Sequence, residues 1–95
     1  MTVIIAGKAY VVDRDRYLEA HHDLIARCRA APGCLDVAIS ADPLEPDRVN
    51  VFEHWESATA LEAWRAVAHA PDLGDQLRDV SVAKHEVAHS GPPFD

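Results

Sequence analysis

The segment from Pro32 to Trp64 constrains the fold more than any other part of the chain. Pro32 and Gly33 should end a preceding helix, because proline cannot continue a helix and glycine accepts the left-handed conformation that closes one. Two runs rich in β-branched and aromatic residues follow, CLDVAISA and RVNVFEHW, and the intervening DPLEPD supplies turn residues. This pattern predicts a β-hairpin. Ser57 then precedes ATALEAWRAVA, so the sequence also predicts a helix with Ser57 as its N-cap.

The flanking segments supply two more strands and one more helix. VIIAGKAYVV, from Val3 to Val12, is apolar at nearly every position, which is typical of a central strand covered on both faces. A helix end and a short broken helical turn are predicted for the segment AHAPDLGDQLRD. The last strand is predicted for VSVAKHEVAH, from Val80 to about His89. After Asp13 or Asp15 as a cap, apolar residues at three- and four-residue spacing predict an amphipathic helix, namely Tyr17, Leu18, His21, Leu24, Ile25 and Cys28.

The order strand, helix, strand, strand, helix, strand predicts an α+β fold of the ferredoxin-like βαββαβ type, with an antiparallel sheet and helices on one face. We assign residues 1–90 to this single domain and residues 91–95 to a C-terminal tail that is able to dock on a partner. The strands are apolar on both faces, so a second subunit should cover the face without helices. A homodimer joined through its sheet faces is the expected assembly.

Charge and hydropathy narrow the possible partners and location. The net charge of −7 and the lack of a basic stripe argue against nucleic acids and anionic membrane surfaces. No apolar run is long enough to span a membrane, and the N-terminus has no basic lead typical of a signal peptide. We therefore expect a cytoplasmic protein. Cys28 and Cys34 are close enough in sequence to meet, but free buried thiols fit that compartment better than a disulfide.

The helix-ending PGC, the hairpin and the strand-to-helix phrase VFEHWES resemble the antibiotic biosynthesis monooxygenase superfamily, the dimeric α/β-barrel group that includes small quinol monooxygenases. The resemblance extends from about Val3 to Val87. It implies a cofactor-independent monooxygenase that oxidises a small quinol, anthrone or related polyphenol with O2 through a base-generated substrate anion. The alternative is a non-catalytic dimeric protein that binds an aromatic metabolite, and haem degradation is a third, weaker possibility.

Oxygenation without a cofactor requires a base, an apolar cavity and a donor for the developing anion. His21 is the main candidate base, because it lies in the middle of the apolar stripe of its helix and histidine exchanges protons near neutral pH. The alternative is a core histidine whose two ring nitrogens are satisfied by backbone or by a neighbouring carboxylate.

Residues on the third strand and the second helix could complete such a site. Alternation places Glu53 and Trp55 on one strand face, and the resemblance implies that this face lies toward the helices. Glu53 either orients His21 or pairs with a basic side chain such as Arg65. Trp64 either stacks on a flat substrate ring or packs in the core. Weaker candidates, for the cavity or alternatively for the dimer interface, are Tyr10 and His85.

At some positions this sequence differs from the residue patterns of known branches of that superfamily. In the aromatic-polyketide oxygenases an asparagine stands four residues before the strand tryptophan, where this chain has Val51 and the nearby Asn50 points to the opposite face. The haem-degrading branch places an asparagine, a tryptophan and an iron-binding histidine at the positions of Gly7, Trp64 and Gly74, so only the tryptophan agrees.

The histidines do not form a chelating pattern. His21 and His22 diverge on one helix, and His85 and His89 lie roughly 13 Å apart along an extended strand. The sequence also contains no Ser-His-Asp signature, phosphate loop or dinucleotide fingerprint. We therefore predict neither a metal site nor a bound cofactor.

Overall fold

The computed structural model describes residues 1–94, and within them four strands form one antiparallel sheet in the order β2-β3-β1-β4. This order and the positions of the helices confirm the predicted ferredoxin-like α+β fold. The elements are β1 (Thr2–Val11), α1 (Arg14–Ala20), α2 (His22–Arg29), β2 (Cys34–Ala41), β3 (Arg48–Trp55), α3 (Ala58–Arg65), a 3-10 turn (Gly74–Gln76) and β4 (Leu77–Val87).

The strand β1 is central, as predicted, because it pairs with β3 on one side and with β4 on the other. Its side chains alternate between a buried and a half-buried face. The buried side chains, Val3, Ile5, Ala9 and Val11, face the helices. The sequence predicts that both faces of β1 are covered. Within this chain only the face toward the helices is covered.

The first predicted helix is two helices that meet at His21 (φ −94°, ψ −2°). In an unbroken helix the His21 backbone N–H would bond the carbonyl of Tyr17. Here that carbonyl is taken by Nδ1 of the His21 ring at 2.7 Å, and the His21 N–H bonds the Leu18 carbonyl instead at 3.1 Å. A side chain that competes for a backbone carbonyl interrupts the helical ladder. Asp13 caps α1, since its carboxylate accepts a bond from the backbone N–H of Arg16.

Gly33 and Ser57 have the roles that the sequence predicts. Gly33 has φ +81°, which favours glycine, and a Cβ added there would lie 2.4 Å from Cβ of Ala60. The turn after α2 is thus packed against the first turn of α3. Ser57 caps α3 by accepting a hydrogen bond from the backbone N–H of Ala60 at 3.1 Å.

The last strand starts three residues before the predicted Val80 and ends at Val87 instead of about His89. The shift arises at the 3-10 turn, where the buried Gln76 is bonded to the end of β1. The Gln76 carbonyl accepts a bond from the Val12 N–H, and its side-chain oxygen accepts one from the Asp13 N–H. Residues 88–94 form no helix or strand, and Asp95, the last residue of the predicted tail, lies outside the described residues.

Two apolar clusters fill the space between helices and sheet. The smaller cluster lies beneath α1 and contains Ala9, Val11, Tyr17 and Val49. The larger lies beneath α2 and α3 and contains Val3, Ile5, Cys28, Val37, Trp55 and Leu61. The larger cluster also forms the floor of the candidate site.

A polar network closes the hairpin loop between β2 and β3. The Asp42 carboxylate accepts hydrogen bonds from the Asn50 side chain and from the backbone N–H groups of Leu44 and Glu45. These bonds, with that from Asn50 the strongest, lower the pKa of Asp42 to about 2. Arg14, at the start of α1, donates to the carbonyls of Asp42 and Glu45, so the loop is also tied to the first helix.

The lowered pKa of Asp42 predicts a pH-dependent stability. An unfolded aspartate has a pKa of about 3.9, so the unfolded chain binds more protons than the folded chain between about pH 4 and pH 2. The stabilisation is therefore complete above about pH 5 and is lost as the pH falls toward 2. We expect the difference in free energy of unfolding between wild type and Asp42→Asn to shrink over this range in urea titrations followed by circular dichroism.

The matched control is Asp72→Asn, which changes an exposed aspartate that makes no side-chain hydrogen bond within residues 1–94. This variant should unfold at the same urea concentration as wild type at pH 6. A difference between wild type and Asp42→Asn that stays constant from pH 6 to pH 2 would contradict the assigned role of the Asp42 carboxylate.

Candidate active site

A small cavity lies between α2, α3 and the helix-facing side of the sheet. It encloses about 50 Å³, which is far below the roughly 300 to 1,000 Å³ of typical ligand pockets. One ionisable carboxylate, that of Glu53, lies in a lining that is otherwise apolar or thiol. The cavity has room for a molecule of a few atoms. The lining residues are Leu24, Ile25, Cys28, Val37, Ile39, Glu53 and Trp64.

The carboxylate of Glu53 is fixed by the neighbouring tryptophan on the same strand. In the β-sheet register Glu53 lies beside Ile5 and Trp55 beside Val3, so both side chains face the helices. Trp55 is fully buried, and its indole Nε1–H donates to Oε1 of Glu53 at 3.0 Å. This bond satisfies a buried donor and holds the carboxylate in the cavity wall. The partner of Glu53 is therefore Trp55, not the expected Arg65 or His21.

Trp64 belongs both to the core and to the cavity lining. Its ring is stacked on that of Trp55, with centroids 6.3 Å apart and an interplanar angle of 27°. The guanidinium of Arg27 lies 5.7 Å from the Trp64 ring centroid, and Asp23 and the Ala68 carbonyl hold that guanidinium in place. The Trp64 ring is thus fixed in the core and also lines the cavity, while its stacking on a substrate ring stays a prediction.

His21 is buried, as its place in the apolar stripe predicts, with 6% of its surface exposed. Its Nδ1 lies 2.7 Å from the Tyr17 carbonyl, which accepts a hydrogen bond only, so Nδ1 is the donor of this bond. The centroids of the His21 and Tyr17 rings are 4.2 Å apart. His21 is not among the side chains that line the cavity. Its role as a base therefore stays a prediction.

Tyr10 and His85 lie on the sheet face opposite the helices. The Tyr10 hydroxyl donates to the carboxylate of Glu45, and this bond raises the pKa of Tyr10. His85 is exposed on β4, in register with Ile4. The sheet separates both residues from the cavity, so the structure does not bring them together with Glu53 and Trp64.

The sequence analysis did not assign Cys28 to the site, although it placed this residue in the apolar stripe of the helix. Cys28 and Cys34 are both free, as expected. Burial raises the pKa of the Cys28 thiol to about 12 and also raises that of Cys34. Near neutral pH the cavity therefore presents a protonated thiol beside the carboxylate of Glu53.

Residues 1–94 contain no cluster of three or more histidine, cysteine, aspartate or glutamate side chains arranged to hold a metal ion. In the same part of the chain, every helix is too short or too polar to cross a membrane.

Comparison with known proteins relates the chain to one family. The model of the antibiotic biosynthesis monooxygenase family matches residues 5–73, which extend from within β1 to beyond α3. No curated protein matches the sequence significantly.

Solved structures share the fold at low sequence identity. A crystal structure of an antibiotic biosynthesis monooxygenase is 22% identical, with a TM-score of 0.76 over 94% of this chain and 100% of that chain. PA3566 from Pseudomonas aeruginosa is 19% identical, with a TM-score of 0.77 over 93% and 94% of the two chains. A conserved protein of unknown function from Bacteroides thetaiotaomicron is 20% identical, with a TM-score of 0.79 over 90% and 97%.

The raised pKa of Cys28 predicts slow alkylation. Moving a thiol pKa from 9.0 to about 12 lowers the thiolate fraction at pH 8 about a thousandfold, and the thiolate is the reactive form. In a Cys34→Ser variant, iodoacetamide should modify Cys28 at least about a hundred times more slowly in the folded protein than in urea, as followed by mass spectrometry. Equal rates in the two states would show that Cys28 is not shielded.

Proposed function

The chain belongs to the antibiotic biosynthesis monooxygenase family, and on that premise we propose that it is a cofactor-independent monooxygenase that oxidises a small quinol, anthrone or related polyphenol with O2. The observation that supports this activity best is the single carboxylate, Glu53, in the wall of an otherwise apolar cavity. Such a site supplies a proton acceptor together with walls that exclude water.

For an anthrone the proposed reaction is balanced without a further reductant. The ring CH2 group becomes a carbonyl, one oxygen atom of O2 enters the product, and the other leaves as water with the two hydrogens. The carbon loses four electrons and O2 gains four. The reaction begins when a base removes a proton, because the resulting electron-rich anion can pass an electron to O2.

Glu53 is the proposed base. Its Oε1 accepts the Trp55 indole hydrogen, so Oε2 is the oxygen proposed to accept the substrate proton. The same bond fixes the carboxylate before the substrate arrives, which lowers the cost of reaching the reactive geometry. The Trp64 side chain offers an aromatic wall for the substrate. His21 is the alternative base, acting through its acceptor nitrogen Nε2.

The small cavity volume favours a second candidate function. About 50 Å³ is too little for an aromatic ring, and Val51 stands where the polyketide oxygenases have an asparagine. These observations favour a non-catalytic dimeric protein that holds an aromatic metabolite with its ring partly outside the cavity. Both functions require the walls to move when the ligand enters.

Oxygen consumption distinguishes the two functions and the two bases. We expect wild type to consume O2 with at least one member of a quinol and anthrone panel, above the rate of spontaneous oxidation. Glu53→Gln keeps an acceptor for Trp55 but removes the base, so the rate should fall at least about tenfold, or about 1.4 kcal/mol of barrier. His21→Asn keeps a donor for the Tyr17 carbonyl and should retain the rate.

A loss in His21→Asn with retention in Glu53→Gln would make His21 the base. Absence of turnover with every substrate, together with quenching of tryptophan fluorescence by the same compounds, would refute the oxygenase and support the binding protein.

We further propose that a second copy of the chain covers the sheet face opposite the helices. Strand β4 is exposed at ten of its eleven residues, and its outer edge is unpaired within residues 1–94. On the same uncovered face, Nε2 of His54 is buried without a hydrogen-bond partner in the described part of the chain. A sheet-to-sheet homodimer would bury the apolar side chains of this face, which include Ile4, Ala6, Ala38, Phe52 and Ala83.

Light scattering after size exclusion tests the assembly. Wild type should have twice the mass of one chain. Phe52→Lys places a charge in the middle of the uncovered face and should give a monomer, because an unpaired charge is costly to bury. The control Val67→Lys changes another exposed apolar residue, after α3, and should leave the mass unchanged. A wild-type monomer at high concentration would refute the dimer.

A further inference from the structure

A surface groove runs beside the cavity along one side of α2. Its volume is about 430 Å³, within the usual range for small-molecule sites. Four of its residues, His22, Ile25, Ala26 and Arg29, lie on α2, and Ile39 lies on β2. The groove therefore has an apolar middle with a basic side chain toward each end of the helix.

The groove and the cavity share two walls. Ile25 and Ile39 line both, and both side chains are half-buried. Rotation of such side chains takes place in nanoseconds or less at partly exposed positions. These two isoleucines are therefore the barrier between the groove and the carboxylate of Glu53, and a ring that separates them reaches from one space into the other.

Arg29 is held in place, yet most of its donors remain available. Its Nε donates to the Val37 carbonyl at 3.0 Å, which fixes the guanidinium against β2. Within residues 1–94 Arg29 makes no ion pair, whereas Arg27, Arg48 and Arg78 each contact a carboxylate. A guanidinium has five N–H donors in a planar fork that matches a carboxylate. Arg14, Arg16 and Arg65 likewise form no ion pair in the described part of the chain, but of these arginines only Arg29 lines the groove.

We propose that this groove is the outer half of the substrate site and that Arg29 binds a carboxylate of the substrate. The inference rests on the proposed oxygenase function and narrows its substrates to hydroxylated aromatic rings that carry a carboxylate. Arg29 lies four residues after Ile25, so the two side chains are adjacent on one face of α2, about one turn apart. A ring between Ile25 and Ile39 thus places a directly attached carboxylate at Arg29 and its opposite edge toward Glu53.

A monoanion fits the groove better than a phosphate ester. Arg29 supplies one fixed positive charge, and His22 is paired at 3.5 Å with Glu19 and is largely exposed. A doubly charged phosphate would face the net charge of −7 with few donors to offset it. Because the net charge of the protein repels an anion, an acid binds more tightly than its neutral analogue only if its carboxylate contacts Arg29.

Anaerobic binding of a matched set of probes tests the proposal. The probes are 2,5-dihydroxybenzoate, its methyl ester and hydroquinone, titrated while the tryptophan fluorescence is recorded, since Trp64 lines the cavity. Wild type should bind the acid about tenfold more tightly than the ester, because charge-assisted bidentate bonds are stronger than neutral ones. Added salt should weaken binding of the acid and leave that of the ester unchanged.

Substitutions of single arginines test whether Arg29 causes the preference for the acid. Arg29→Gln should lose the tenfold preference for the acid and keep the affinity for the ester, whereas Arg29→Lys should retain part of the preference. The control Arg16→Gln removes the same charge from the exposed surface of α1 and should behave as wild type. An unchanged affinity for the ester in Arg29→Gln also shows that the variant is folded. A wild type without preference for the acid, or a preference that survives Arg29→Gln, would overturn the proposal.

Oxygen uptake separates this inference from the proposed function. If the acid binds through Arg29 but no acid is oxidised, the groove assignment stands and the oxygenase proposal fails. If the acid is oxidised but wild type and Arg29→Gln bind and oxidise it equally well, the oxygenase proposal stands and the role of Arg29 is refuted.

Discussion

The hydrogen bond between the buried Trp55 indole and the Glu53 carboxylate determines what the interior of this protein can do. A fully buried indole N–H needs an acceptor, and a carboxylate that is partly removed from water needs a donor, so each group removes the cost of burying the other. The bond runs along β3, and the pairing of β3 with β1 fixes where it lies. Within residues 1–94, the Glu53 carboxylate thus lies in an apolar wall without forming an ion pair.

Because the helices lie on one face of the sheet, its two faces have different roles. The helix side is closed by apolar packing and contains the candidate site. The other side combines small apolar residues near Phe52 with the polar network around Asp42 and Glu45. That network joins the hairpin loop to Arg14 at the start of α1, so the loop is held by its own hydrogen bonds and by the first helix. A surface of this mixed kind gives a partner both area and fixed polar groups that determine its orientation.

The sequence predicted most of the fold and less of the site, for identifiable physical reasons. The hairpin, the left-handed Gly33 and the Ser57 cap depend on local chemistry, and all three are found. The break at His21 depends on one ring nitrogen that reaches the Tyr17 carbonyl, which periodicity does not reveal. The cavity lining also depends on how α2 and α3 sit over the sheet. Alternation placed Glu53 and Trp55 on one strand face, and the family resemblance placed that face toward the helices. The bond between these two residues, the contribution of Cys28 to the lining and the two isoleucines shared with the groove required three-dimensional positions.

The close approach of Gly33 to Ala60 also makes the width of the cavity adjustable by engineering. The turn that ends α2 and the first turn of α3 are separated by the space of a single methyl group, and the cavity lies between these same two helices. A larger side chain at position 60 would force α3 away from that turn, whereas glycine would allow a closer approach. Libraries that vary residue 60 while keeping Gly33 would therefore change the range of accepted ring sizes without altering a side chain in the cavity wall.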